Sequence, residues 1–305
     1  MTLHLCKQNK KVMKKLFLKL PTVLMSIALL MMAAQAKSEN ILSTTIIGKG
    51  QPMILIHGMS CSAEVWEEVT EHYKNDYEIH LVTLKGFGNK ESVESEHFLK
   101  EVRDELIDYV KTNELKNSIL MGHSMGGFLS LWAASEAPDL FAKIISVDGI
   151  PYFPAIQMPG LTPERAQSMA KQMQANMKNV SEDAFAQQQK MIIAGMIATP
   201  EKREQVVEMG INSNRTVTTQ AYGEMYTTDI RSEMSKVKTP VLVLGAWAAY
   251  EQYGSTKQAV ESNYEAQCKD IENVKVAVAD EAYHFIFYDE PKWFFNQVDS
   301  FLASK

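Results

Sequence analysis

Ser118-Ile119-Leu120-Met121-Gly122-His123-Ser124-Met125-Gly126-Gly127 is the stretch whose reading decides the fold. Its first four residues have the texture of a buried strand, and a helical run follows over 128–136. Between them the chain must turn sharply, with a serine at the apex. Glycines stand two positions to either side of Ser124, where a side chain would collide with the adjoining strand or helix. Such a turn lifts the Ser124 hydroxyl out of the sheet. It also sets the Met125 amide at a helix N-terminus, facing any negative charge that develops there. The pattern implies a nucleophilic serine, which at neutral pH needs a base within hydrogen-bond reach.

Working outward, the apolar run 53–56 ends at His57-Gly58, after a Gly- and Pro-marked turn from an earlier strand near 41–47. A helix is expected at about 63–73, a strand at 78–84 closing on Lys85-Gly86-Phe87-Gly88, and a helix at 96–112. The last has an apolar stripe at Phe98, Val102, Leu106 and Val110. The strand 143–147 then ends at Asp148-Gly149-Ile150-Pro151. Alternation of this kind implies an α/β fold with a mostly parallel, doubly wound sheet, whose sites form at the carboxyl ends of strands. His57, Ser124 and Asp148 all fall at such ends. From 151 to 238 the texture turns to Met, Gln and Ala with helical patterning, and strand texture resumes at Pro240. The expected organisation is a core from 37–150 and 239–305, with 151–238 inserted as a helical cap. The cap's methionines (158, 169, 173, 177, 191, 196, 209, 225 and 234) either pack its own core or form a deformable apolar lid.

The 305 residues are 46% hydrophobic, enough for a substantial core. Residues 1–36 stand apart from it: six lysines precede an apolar run over 23–34, and Ala34-Gln35-Ala36 has the small-x-small form of a signal-peptidase site. The segment is read as a cleaved export signal, with Met13 as an alternative start, and the protein is expected to be periplasmic or secreted. The apolar run is short for a membrane span, and no cysteine follows it to carry a lipid, so no stable membrane anchor is expected after cleavage. Loss of the segment leaves 25 basic against 37 acidic residues, a net charge of −12 in place of −6. So acidic a chain, with no basic cluster, is a poor partner for nucleic acid. Cys61 and Cys268 are expected to be independent thiols.

Taken in order, Ile56-His57-Gly58, Gly86-Phe87-Gly88, Gly122–Gly127 and the late Tyr283-His284-Phe285 with Asp289-Glu290-Pro291 make the chain resemble the α/β-hydrolase superfamily over 41–305. The resemblance implies Ser124 as nucleophile, His284 as base, and the backbone amides of Met59 and Met125 as the oxyanion hole. His57 takes the place of a structural histidine and His123 that of a variable position, while His72, His80 and His97 are expected on helix or edge surfaces. The commonest family pattern has its acid where this chain has Ala248, which cannot orient an imidazole. Asp148 is the replacement that keeps the order Ser, Asp, His, with Glu251 and Asp280 as alternatives. The implied activity is cleavage of a carboxylic ester or related acyl bond in a small, apolar molecule through an acyl-enzyme. A lactone, a thioester, a carbon–carbon bond beside a ketone and perhydrolysis suit the same machinery. The missing acid at 248 motivates the alternative, a ligand-binding protein of this fold with little turnover. No metal-ligand cluster, dinucleotide fingerprint or phosphate loop is present in the sequence, so no cofactor is expected.

Overall fold

In a computed structural model of the chain, the described residues are 40–304 apart from 89, 90, 92, 159, 160 and 179. The segment 1–36, read above as an export signal, lies outside them. Strands β1 (Leu42–Gly48) and β2 (Gln51–Ile56) are followed by a 3-10 turn at Ala63–Trp66, helix α1 (Glu67–Tyr73) and β3 (Tyr77–Leu84). Helix α2 (Phe98–Thr112), β4 (Ser118–His123), α3 (Met125–Glu136) and β5 (Phe141–Val147) come next. Among the described residues the chain then forms α-helices and short 3-10 turns: α4 (Pro154–Gln157), α5 (Pro163–Lys178), α6 (Glu182–Ala194), α7 (Arg203–Ile211) and α8 (Arg215–Thr227). Strand β6 (Val241–Gly245), α9 (Lys257–Cys268), β7 (Val274–Val278), the short α10 (Ile286–Asp289) and α11 (Pro291–Ala303) complete the order.

The strands lie in one seven-stranded sheet in the order β1-β3-β2-β4-β5-β6-β7. β1 runs antiparallel to β3, and every other pairing is parallel. The central strands read as unbroken apolar runs because both faces of the sheet are covered. On β2, Ile54 and Ile56 face one core with Phe98, Val102 and Leu106 of α2 and Phe128 of α3. Met53 and Leu55 face the other, with Val65, Trp66 and Val69 and with Phe294, Val298 and Phe301 of α11. That is the two-residue period of a strand expressed as two separate cores.

From β2 the chain passes first to β3 on one side and later to β4 on the other. The carboxyl ends of β2 and β4 therefore flank the point where the winding reverses, the place where such sheets leave a crevice. The helices between β5 and β6 are tied to both faces. Ile193, Val206 and Met209 join the second core, while Val217, Ala221 and Met225 join the first. The Glu224 carboxylate accepts the backbone N–H groups of Phe98 and Leu99 at 2.9 and 2.7 Å, satisfying orphan donors at the start of α2. The Asp289 carboxylate likewise accepts the N–H groups of Ala198 and Thr199.

Three expectations change in detail. The helix after the serine begins at Met125 rather than three residues later, the segment 63–66 is a 3-10 turn, and α2 starts at Phe98. His80 is not on a surface. β3 lies inside the sheet, so His80 is buried, with its Nδ1 at 2.7 Å from the Tyr109 hydroxyl. The close approach of β4 and α3 is set by glycine. A Cβ on Gly122 would lie 2.0 Å from the Gly126 carbonyl oxygen, and one on Gly126 would lie 2.3 Å from that of Ile56. Neither neighbour is a side chain that could swing away. Gly122→Ala is therefore expected to lower the unfolding free energy by about 3 kcal/mol, measured by urea denaturation; an unchanged midpoint would show that the strand and helix can separate at no cost.

Candidate active site

Ser124 takes φ 55° and ψ −116°, outside the regions open to an unstrained side-chain-bearing residue. Both its backbone groups are held: the N–H donates to Val147 O at 2.8 Å and the carbonyl accepts from Phe128 N at 3.0 Å. Its hydroxyl does not cap α3, which leaves it available for chemistry. Ser124 and His284 line the same cavity, of about 390 Å³.

Asp148, one residue past β5 and also at positive φ (51°), is buried. Its Oδ2 accepts a hydrogen bond from His284 Nδ1 at 2.5 Å. Its Oδ1 accepts from the Ala246 N–H at 2.8 Å and from the Tyr264 hydroxyl at 2.6 Å. Three donors compensate a carboxylate that has left water. Burial, reinforced by the adjacent carboxylate, raises the Tyr264 hydroxyl well above its ordinary range, so it remains a donor. With Nδ1–H committed to Asp148, the free ring nitrogen of His284 is Nε2, the atom available as a base. The alternatives stand elsewhere. Asp280 is exposed and pairs with Lys257 at 2.6 Å, and Glu251 is exposed in the 3-10 turn Ala248–Tyr253. At the end of β6, where the resemblance places an acid, this chain instead supplies a backbone donor to Asp148.

The oxyanion candidates follow from His57. Its Nε2 accepts the Leu84 N–H at 3.1 Å, so Nδ1 carries the proton and donates to Gly58 O at 2.7 Å. A trans peptide points its N–H opposite its C=O, so fixing the Gly58 carbonyl turns the Met59 N–H away from His57. Gly58 adjoins the serine: a Cβ there would lie 3.2 Å from Ser124 Cβ. Met125 begins α3, where the N–H has no partner within the helix. The Met59 side chain lines the cavity, whereas that of Met125 is buried in the core below.

His123, which the resemblance puts at a variable position, supports the site. Its Nε2 donates to the His284 carbonyl at 3.1 Å, and the two rings lie 4.6 Å apart. Of the cap methionines, Met191, Met196 and Met225 line the cavity, while Met209 and Met234 are buried in the cores and Met169 and Met173 pack near Tyr226. Cys61 and Cys268 are free and buried. Among the described residues no three His, Cys, Asp or Glu side chains converge as a metal site.

Burial pushes His57 down to about 4, against the hydrogen bond to Gly58, and pushes His123 well down, aided by His284. A histidine whose folded pKa is depressed stabilises the fold above its unfolded pKa, and that stability is lost as pH falls through the folded one. Urea unfolding should therefore show stability falling from pH 6.5 to 4, with His57 alone accounting for roughly 3 kcal/mol. A flat profile over that interval would mean that these rings are not held neutral.

A family model described as alpha/beta hydrolase fold matches residues 51–291. A pimeloyl-[acyl-carrier protein] methyl ester esterase of Aliivibrio salmonicida is 32% identical over 108 residues, 35% of this chain and 40% of that protein. The chain thus aligns with less than half the length of that relative. A Legionella pneumophila protein of the same name is 24% identical over 257 residues, 84% of this chain and 96% of its own. The crystal structure of a bromoperoxidase from Bacillus anthracis superposes with a TM-score of 0.72 at 19% identity, covering 86% of this chain and 95% of that one. The family match begins with β2 and ends at the start of α11, taking in every parallel strand and every strand end that carries the site, and the chain belongs to the alpha/beta hydrolase fold family.

Proposed function

We propose that this protein is an exported carboxylic ester hydrolase that works through an acyl-enzyme on Ser124. The observation that carries the reading is the 2.5 Å hydrogen bond from His284 to buried Asp148, at the wall of a cavity that also holds the strained serine. The ester-cleaving activity in the names of the relatives supports the bond type, and the methionine-rich wall supports a small, apolar acyl group. The segment 1–36 supports export, and the insertion 151–238 serves as the cap.

Ser124 Oγ attacks the ester carbonyl carbon while its proton passes to His284 Nε2. The carbonyl electrons move to oxygen, which receives the N–H groups of Met59 and Met125. Collapse of this intermediate breaks the bond to the alcohol oxygen, which takes the proton from His284. Water then gives His284 a proton as it attacks the acyl-Ser124, and a second collapse returns that proton to the serine and frees the acid. Asp148 stabilises the imidazolium at each stage without becoming protonated. The reading as a ligand-binding protein without turnover drew on Ala248, and it loses its motive once Asp148 stands at His284.

A fluorophosphonate probe applied to the exported protein should give one adduct, mapped by mass spectrometry to Ser124, on a chain that starts at Lys37. A folded protein that does not label would sink the hydrolase reading, and an intact N-terminus would sink the export reading. In ester assays graded by acyl length, Asp148→Asn should reduce kcat by about 10⁴-fold, while Glu251→Gln and Asp280→Asn remain near wild type. Near-wild-type turnover by Asp148→Asn would remove it from the mechanism.

A further inference from the structure

The helical wall of the cavity carries an amide side chain. Gln189, on α6, is 93% buried by virtue of its 7% exposure, lines the cavity, and makes no hydrogen bond with any described residue. The same cavity is lined by Ile193, Val206, Met196 and Met225. The amide atoms, left without a protein partner, keep their hydrogen-bonding capacity for a molecule in the cavity, which a methionine of similar volume would not offer. The amide oxygen rests on α7 at Gly210, where a Cβ would lie 2.5 Å from it. The absence of a side chain at Gly210 therefore makes room for the amide.

Charge narrows what could meet it. The residues lining the cavity include no lysine or arginine, and their one carboxylate, Asp148, is already engaged by Ala246, Tyr264 and His284. An anionic group brought inside would lose its water and find no counter-charge. An amide both donates and accepts, which suits an uncharged hydroxyl, carbonyl or carboxamide. Gln189 stands on the helical wall, whereas Ser124 and His284 stand on the strand-end wall. We infer that Gln189 is a specificity residue, forming a subsite for an uncharged hydrogen-bonding group carried by the substrate away from its scissile bond. The inference rests on the hydrolase reading only for the identity of that bond.

The test uses p-nitrophenyl esters of graded length whose far end is a methyl group, a carboxamide or a carboxylate. Affinities are measured by calorimetry on Ser124→Ala, alone and combined with Gln189→Met. At the length that reaches the subsite, the carboxamide ester should bind about tenfold more weakly once Gln189 is replaced, and the methyl-ended ester should not weaken. The carboxylate ester should be the weakest ligand of both proteins. Gly210→Ala, combined with Ser124→Ala, provides a second route: alanine suits a helix, and its Cβ displaces only the end of a flexible side chain. It should weaken the carboxamide ester selectively. Equal affinity for that ester with and without the Gln189 amide overturns the subsite, and so does a carboxylate ester that binds most tightly. If instead the affinities differ as expected but the wild-type protein hydrolyses none of these esters, the subsite stands and the hydrolase reading fails.

Discussion

The site is organised around a carboxylate that has been taken out of water. Asp148 is tolerable in the interior only because three donors converge on it from different parts of the chain: the end of β6, helix α9 and the loop before α10. Each donor also fixes its own element. The Ala246 N–H holds β6 in step with β5, Tyr264 ties α9 to the sheet, and His284 anchors the last loop over the strand ends. Removing the carboxylate would leave a buried tyrosine hydroxyl and a backbone N–H without partners, so the group bonded to His284 also holds its surroundings together.

A second constraint is steric. The serine turn is held in an unfavourable conformation by close backbone contacts at Gly122 and Gly126, by the Ser124 N–H donating to Val147 O and by the Phe128 N–H donating to Ser124 O. The strain is local, whereas the restraint comes from the pairing of β4 with β2 and β5. His57 does comparable work across the crevice, using both ring nitrogens to fix the peptide that carries the Met59 N–H. Neutrality of that ring is a condition of the arrangement, since Nε2 must accept.

Much of this was legible in the sequence because it follows from local pattern. The unbroken apolar runs at 53–56 and 118–121 report strands covered on both faces, and glycines around Ser124 report crowding. Asp148 was accessible by its place at a strand end. Tyr264 was not: it reaches Asp148 across 116 positions of sequence, and nothing in the pattern of α9 distinguishes it from a core tyrosine. His123 was discounted because a residue beside the serine has no obligatory role, and only the fold of the last loop brings the His284 carbonyl to it. His80 was misplaced because a strand's position within a sheet is a property of topology rather than of its own residues. Gln189 is not distinguished by sequence, because a glutamine in a polar helix is ordinary and only the packing of α6 against α7 buries it.

The placement of Asp148 after β5 has an effect on the connection between β6 and α9. Beyond the Ala246 N–H, no side chain of that connection among the described residues bonds to Asp148 or His284, although Trp247 Nε1 donates to Asp280 O and Tyr250, Gln252 and Tyr253 border the cavity. Where an acid sits in this connection, its length and course are pinned by the histidine. Here they are not. Insertions and deletions around Tyr250–Tyr253 would reshape that rim of the cavity without removing a partner of Asp148 or of the His284 ring.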